Sequence, residues 1–252
     1  MISKQIENYE INHNYWSKKR VLITGGTAGL GKSLAVYLSD LGVQVAVIGR
    51  NLKRLETLND EKNNIITIQG DISKKDEIHR IFGEVEGKFD GPIDILINNA
   101  SSLGIVPLQD LLDTPCENFS EVLEINVLGP FRLSKLVIPS MLLNESGLIL
   151  NISSDASVNA YPTWGIYSVS KAALDHLTAI WAKELPKISF LSIDPGDMYT
   201  SMQLEANPSV DEYSLYAPDD VARDLCLFLA LRENNFPKVR LSASEWRMYL
   251  QC

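Results

Sequence analysis

Tyr167 and Lys171 stand four residues apart in Tyr-Ser-Val-Ser-Lys, at the head of a run that reads as helix from Trp164 to Leu185. That spacing puts a phenol and an amine on one helical face. A cation beside a phenol favours the phenolate and lowers a pKa that starts near ~10. The result is a proton donor or acceptor usable near neutral pH. Taken alone, the pair is weak evidence, since Tyr and Lys at this spacing are more often an amphipathic surface pair. Ser154 lies thirteen residues before Tyr167, at the end of the apolar run Leu148–Ile152, where its hydroxyl can donate to a substrate oxygen. A serine hydrolase would need a Ser–His pair and a G-x-S-x-G turn. His176 falls on the far side of Lys171 and that turn is missing from the sequence. Asn126 sits in Glu-Ile-Asn-Val-Leu-Gly-Pro130. Pro130 has no N–H, so the Asn126 carbonyl loses its donor four residues on, and the stretch is either a plain proline kink or a kink that holds a water.

A second group of residues suits a phosphate. Thr24-Gly-Gly-Thr-Ala-Gly-Leu-Gly31 follows the short apolar run Val21–Ile23 and opens a helix over Lys32–Leu38. Strand, glycine turn and helix together let backbone approach a pyrophosphate, with free N–H groups at the helix start. Gly25, Thr27, Gly29, Leu30 and Gly31 are the candidate contacts. The next strand ends at Gly49-Arg50. A carboxylate there would accept from a ribose 2′-OH, whereas Gly49 leaves room and Arg50 offers a planar cation for a 2′-phosphate, which favours NADP(H) over NAD(H). Asp71, beside Ile72, can accept from an adenine amino group or cap a turn. Asn98 can contact a cofactor or brace its own turn, and Ala100 is small enough to admit a ribose. Pro195-Gly196 makes a sharp turn before Thr200, whose hydroxyl can reach a carboxamide or phosphate.

The elements that must carry these residues alternate along the chain. Apolar strand runs at 21–23, 43–48, 65–69, 93–97, 148–152, 188–193 and 239–241 are separated by helical stretches, the longest from Cys116 to Leu143. Ser73 reads as the N-cap of a helix to Phe89. Uniformly apolar strands fit a parallel sheet covered on both faces. The expectation is one α/β domain over 18–252, a doubly wound parallel sheet of Rossmann type. Residues 1–17 read as an arm, poorly ordered or a short helix laid on the surface. Residues 201–217, polar and aromatic, read as a mobile substrate flap. The loops after Asn98, Ile152 and Ile193 all fall at the carboxyl edge, where such sheets bind ligands. Asp155, Val158, Tyr161, Trp164, Met198 and the flap are the expected pocket walls.

The net charge of −9 argues against nucleic acid or an anionic membrane as the main partner. No apolar run reaches the ~18 residues that span a bilayer. Cys116, Cys226 and Cys252 form no C-x-x-C pair, and His13, His79 and His176 have no ligand spacing, so free thiols, no metal and a cytoplasmic location are expected.

In order and spacing these pieces resemble the short-chain dehydrogenase/reductase family, in its compact single-domain branch, over roughly residues 19–231. The motifs are Thr24-Gly25-x-x-x-Gly29-x-Gly31, Asn98-Asn-Ala100, Asn126, Ser154, Tyr167-x-x-x-Lys171 and Pro195-Gly196 with Thr200. The resemblance implies that Tyr167 is the acid/base and that Ser154 polarises the substrate oxygen. It further implies that Lys171 binds the nicotinamide ribose and lowers the Tyr167 pKa, and that Asn126 holds a relay water. It implies an NADPH-dependent reductase of a small ketone or aldehyde, with an NAD-dependent alcohol dehydrogenase or a catalytically silent cofactor-binding regulator as alternatives. The C-terminal stretch from Val239 departs from the family's usual ending, which favours a dimer over a tetramer for any homo-oligomer.

Overall fold

The structure, a computed structural model, describes residues 13–250. The rest of the expected arm, residues 1–12, lies outside the described residues, as do 251 and 252. The chain begins with α1 (His13–Trp16), β1 (Arg20–Thr24), α2 (Gly29–Asp40), β2 (Gln44–Gly49), α3 (Leu52–Glu61), β3 (Ile65–Gln69), α4 (Lys75–Lys88) and β4 (Ile95–Asn98). After a long loop, α5 (Cys116–Leu123) passes through a π turn (Glu124–Leu128) into α6 (Gly129–Leu143). Then come β5 (Leu148–Ile152), α7 (Gly165–Glu184), β6 (Ser189–Ile193), α8 (Ser201–Ala206), α9 (Pro218–Arg232), β7 (Arg240–Leu241) and α10 (Ala243–Met248).

The strands form one parallel sheet in the order β3-β2-β1-β4-β5-β6-β7. Strand side chains alternate between faces, so each strand feeds two cores. Val21, Ile23, Ile95 and Ile97 join α2 and α9 through Leu34, Leu38 and Phe228. Leu22, Leu96 and Ile149 join α4, α6 and α7 through Ile81, Val137 and Trp181. Each such side chain contributes roughly 1.5–3 kcal/mol on burial, so apolar runs without a polar face become central strands. The strand order reverses direction between β1 and β4, and the crevice at their carboxyl ends is where such sheets take ligands.

Three local expectations are corrected. The arm does close in a short helix, but Trp16 is not on the surface; it is 1% exposed and packs into the α2/α9 core. Its ring meets Tyr15 edge-on, and the Tyr15 hydroxyl donates to Asn234 Oδ1 at 2.9 Å. A large aromatic body gains more from burial than from lying in water. Ser73 does not cap α4. Its N–H and hydroxyl both donate to Asp71 Oδ1, at 2.9 and 2.7 Å, and Lys74 takes the cap position. The helix α10 was not anticipated, although Ser242 and Glu245 form a reciprocal capping box that the Ser-x-x-Glu spacing encodes.

The Pro130 stretch widens into a π turn rather than a simple kink. Gly129 N–H reaches back five residues to the Glu124 carbonyl, because Pro130 offers no N–H to continue the α register.

Replacing Trp16 by Ala is expected to lower the unfolding free energy by about 3–5 kcal/mol, read as a fall in the denaturant midpoint. An unchanged midpoint would place this side chain outside the core.

Candidate active site

The glycine turn after β1 is shaped by close approach to the loop after β4. Thr24 Oγ1 accepts from the N–H groups of Asn99 and Ala100 at 3.1 and 3.0 Å. Asn99 Nδ2 returns bonds to the Thr24 and Gly25 carbonyls at 3.0 and 3.2 Å. Gly25 has φ +67, and a Cβ there would fall 2.8 Å from Ala100 Cα. A Cβ on Gly31 would fall 2.4 Å from Asn99 Nδ2, so Gly31 packs behind the turn and does not line the cleft. No side chain caps the start of α2. Its first-turn N–H groups therefore face the cleft without a side-chain acceptor, and a pyrophosphate fits that need.

Gly25, Thr27, Gly29 and Leu30 line one end of a cleft of about 650 Å³. Arg50, Asp71, Ile72 and Ala100 line it too, and Arg54 joins Arg50 there. The room expected at Gly49 is filled: a Cβ would fall 2.8 Å from Thr27 Cγ2, so this glycine lets β2 press against the turn. Asp71 spends one carboxylate oxygen on its own turn through Ser73.

The other end of the cleft carries the proton chemistry. Tyr167 and Lys171, on the first turns of α7, are 7% and 2% exposed. The Tyr167 ring packs on Leu103 and Ala156, with Trp164 edge-on at 5.6 Å between centroids and Met202 alongside. Ser154 and Ser101 line the cleft beside this tyrosine, and both hydroxyls favour its ionised form. Lys171 Nζ donates to the Ile152 carbonyl at 2.8 Å and stands 5.5 Å from the Tyr167 ring centroid. Ser154 Oγ accepts from Ala156 N–H at 3.2 Å and donates to Asp155 Oδ1 at 3.1 Å, while Tyr161 donates to Asp155 Oδ2 at 2.6 Å.

The expected lowering of the Tyr167 pKa is not what this geometry gives. Burial pushes the phenol up; the nearby Ser154 hydroxyl opposes that, and the charges of Asp194 and Asp155 add to it. Lys171 is itself driven down to about 8 by burial, against a raising pull from Asp175. Low-dielectric surroundings disfavour both ions, so the ground state is a protonated phenol beside a weakly held ammonium proton.

Two of the Asn candidates prove to be braces. Asn98 is 2% exposed and points into the sheet, donating to Asn151 Oδ1 at 2.8 Å and Ser134 Oγ at 3.4 Å. Its neighbour Asn99 faces the cleft instead. Asn126 is 1% exposed and does not line the cleft. Its side chain accepts from Ser102 N–H at 2.8 Å and donates to the Ser102 carbonyl and Ser170 Oγ, both at 2.9 Å. Ser170 in turn donates to the Tyr167 carbonyl at 2.7 Å. Asn126 thus ties the loop after β4 to the turn of α7 that bears Tyr167.

Pro195, Gly196 and Thr200 line the cleft as expected, as do Asp155, Tyr161, Trp164 and Met198, whereas Val158 is exposed away from it. Thr200 Oγ1 caps α8 by accepting from Gln203 N–H at 3.3 Å. The flap is structured at its base, where Met198 and Tyr216 form a parallel bridge. Sequence reasoning missed Ser101, Leu103 and Arg54 in the lining and singled out Asn98 where its partner Asn99 lines it, whereas Met202 comes from the expected flap. Arg54 had a readable signal, since it lies one helical turn beyond Arg50.

A parallel sheet with an uncapped glycine turn at its reversal point defines a dinucleotide-binding protein of Rossmann type. Residues 19–211 match the family described as short chain dehydrogenase, and the chain belongs to it as an oxidoreductase. A short chain dehydrogenase of Pseudocercospora fijiensis is 35% identical over 208 residues; the match covers 80% of this chain and 62% of that protein's length. An uncharacterized oxidoreductase of Bacillus subtilis is 36% identical over 189 residues, 73% of this chain and 70% of its own. Among solved structures, an alcohol dehydrogenase from the archaeon Thermococcus sibiricus, complexed with 5-hydroxy-NADP, superposes with a TM-score of 0.79 at 26% identity, covering 90% of this chain and 96% of that one. A short chain dehydrogenase of Shigella flexneri complexed with NADP shares the fold, with a TM-score of 0.83 at 22% identity over 92% of this chain and 100% of that one. Among the described residues no helix is long and apolar enough to cross a membrane.

Proposed function

We propose that the protein is an NADPH-dependent reductase of a ketone or aldehyde carbonyl on a small molecule, with Tyr167 as proton donor. The observation that carries this reading is the buried Tyr167 side chain lining the cleft floor with Ser154, and Lys171 one turn further along α7. When bound, the cofactor supplies the hydride. Gly25, Thr27, Gly29 and Leu30 hold its pyrophosphate, Ile72 and Ala100 its adenosine and ribose portions, and Pro195, Gly196 and Thr200 its nicotinamide end. Tyr167 delivers its proton to the oxygen that gains negative charge, and Ser154 holds that oxygen in place. Burial, which keeps the phenol protonated, suits it to act first as an acid. Lys171 stabilises the phenolate left behind, and the braced position of Asn126 suits its backbone carbonyl to hold a water for proton resupply.

Arg50 and Arg54, both at the cleft edge after β2, support NADP(H) over NAD(H). The NADP in the Shigella flexneri protein and the 5-hydroxy-NADP in the archaeal one lean the same way. The name of the archaeal enzyme also keeps alcohol oxidation in view as the reverse direction.

Tyr167→Phe is expected to cut turnover by ~10²–10⁴ while NADPH binding, followed by its fluorescence, stays near that of the parent. Full activity in this variant would refute the assignment. The pH profile follows from Lys171, which loses its proton as pH rises through about 8. Reduction needs that charge to hold the nascent phenolate, so kcat should fall on the alkaline side of that value, and Lys171→Met should remove the limb. Arg50→Asp should weaken NADPH binding roughly tenfold, about 1.4 kcal/mol, and leave NADH binding unchanged or tighter; equal losses for both would favour the NAD-dependent reading.

A further inference from the structure

We propose that Arg240, on the edge strand β7, is a positioning residue for the reaction: its guanidinium holds the Ser154 backbone in one direction and Asp175, one turn beyond Lys171, in the other. The proposal rests on the reductase reading above. Arg240 Nη2 donates to the Ser154 carbonyl at 3.0 Å, and Nε donates to Asp175 Oδ2 at 2.7 Å. Both nitrogens also reach Ser157 Oγ, at 3.1 and 3.3 Å. Ser192, paired with Arg240 in the β6–β7 register, donates its hydroxyl to the other Asp175 oxygen. The side chains of Arg240 and Asp175 are only 23% and 11% exposed. An ion pair so shielded is not the weak surface kind, and losing one partner leaves a poorly solvated charge.

The planar fork suits this place, since its rigidly spaced N–H groups on separate nitrogens meet a carbonyl and a carboxylate at once, whereas an ammonium offers its donors from one point on a flexible stem. On the serine side, the bond fixes the start of the 3₁₀ turn Asp155–Ser157, which Ser157 closes by donating both N–H and hydroxyl to the same Ser154 carbonyl. That turn sets where Ser154 Oγ stands in the cleft that Tyr167 also lines. On the helix side, Asp175 is the charge that opposes the burial of Lys171, and Arg240 offsets it. The other groups around Lys171 are Tyr167 on its own helix and the Ile152 carbonyl from β5. Asp155 and Asp194, from the loops after β5 and β6, act on Tyr167. Arg240 therefore touches neither reacting atom but sets the place of one catalytic side chain and the charge near another.

The test compares the full chain with R240M, R240K and D175N, using NADPH with 4-nitrobenzaldehyde and diacetyl as probe carbonyls. R240M is expected to lose roughly ten- to hundredfold in kcat, with KM for NADPH within about twofold because the cradle at β1 is untouched. The alkaline limb gives the readout that a merely structural role would not move. Without Arg240 the unpaired Asp175 holds the Lys171 proton more tightly, so the limb moves to higher pH; D175N moves it to lower pH. R240K keeps a cation near Asp175, so its limb stays in place while kcat still falls. Parent-like kcat in R240M and R240K, or limbs of R240M and D175N moving the same way, would overturn the proposal. Should R240M lose its fold by circular dichroism, R240K and D175N carry the same contrast. A parent enzyme silent on both probes while binding NADPH would count against the reductase reading itself, and against this inference with it.

Discussion

The structure hangs on the clamp between Thr24 and Asn99. These residues end β1 and follow β4, where the strand order turns back on itself and the two halves of the sheet send their connections apart. Four hydrogen bonds cross the gap, two into the Thr24 hydroxyl and two out of the Asn99 amide. Each is worth about 1 kcal/mol net, but their geometric effect is larger. They fix the spacing between the glycine turn and the β4 loop, and hence the width of the cleft. Gly25 and Gly31 follow from the clamp, because any side chain there would strike Ala100 or Asn99.

The second constraint is dryness at the other end of the cleft. Tyr167 and Lys171 are almost wholly out of water, and their surroundings are Leu103, Ala156, Trp164 and Met202 more than charged groups. Burial alone would make both side chains neutral. The polar groups that remain are few and fixed: Ser154 in the same lining as the phenol, the Ile152 carbonyl on the ammonium, Asp175 one turn away. In a low-dielectric floor such fixed dipoles act more strongly than they would in water, so a small number of them can govern proton position.

Much of this was legible in the sequence. Strands that are apolar on both faces and a glycine turn between strand and helix each have one dominant physical reading, the Tyr–Lys pair at helical spacing gains its meaning from them, and each lies where it was expected. The misreadings have physical causes as well. Asn98 and Asn99 are adjacent and chemically identical, yet successive strand residues point to opposite sides, so a one-residue ambiguity in the strand end exchanges core for cleft. Asn126 was read for its backbone carbonyl, and its side chain's partners, Ser102 and Ser170, are distant in sequence. The rise in the Tyr167 pKa depends on how deeply the ring is packed, which helical spacing cannot report. Trp16 and α10 were within reach: a lone Trp flanking the first strand and a Ser-x-x-Glu capping pattern were both in plain view.

The π turn at Glu124–Leu128 constrains the chain in another way. It accommodates one more residue than an α turn, and the side chain of Asn126 reaches Ser102 and Ser170 from that widened stretch. Removing a residue there would close the widened turn to an α turn and shift the residues within it, carrying the asparagine off its partners. The segment can therefore tolerate changes of residue type at its exposed positions far better than a change of length. Homologous chains that diverge freely in composition here would still be expected to align across it without a gap.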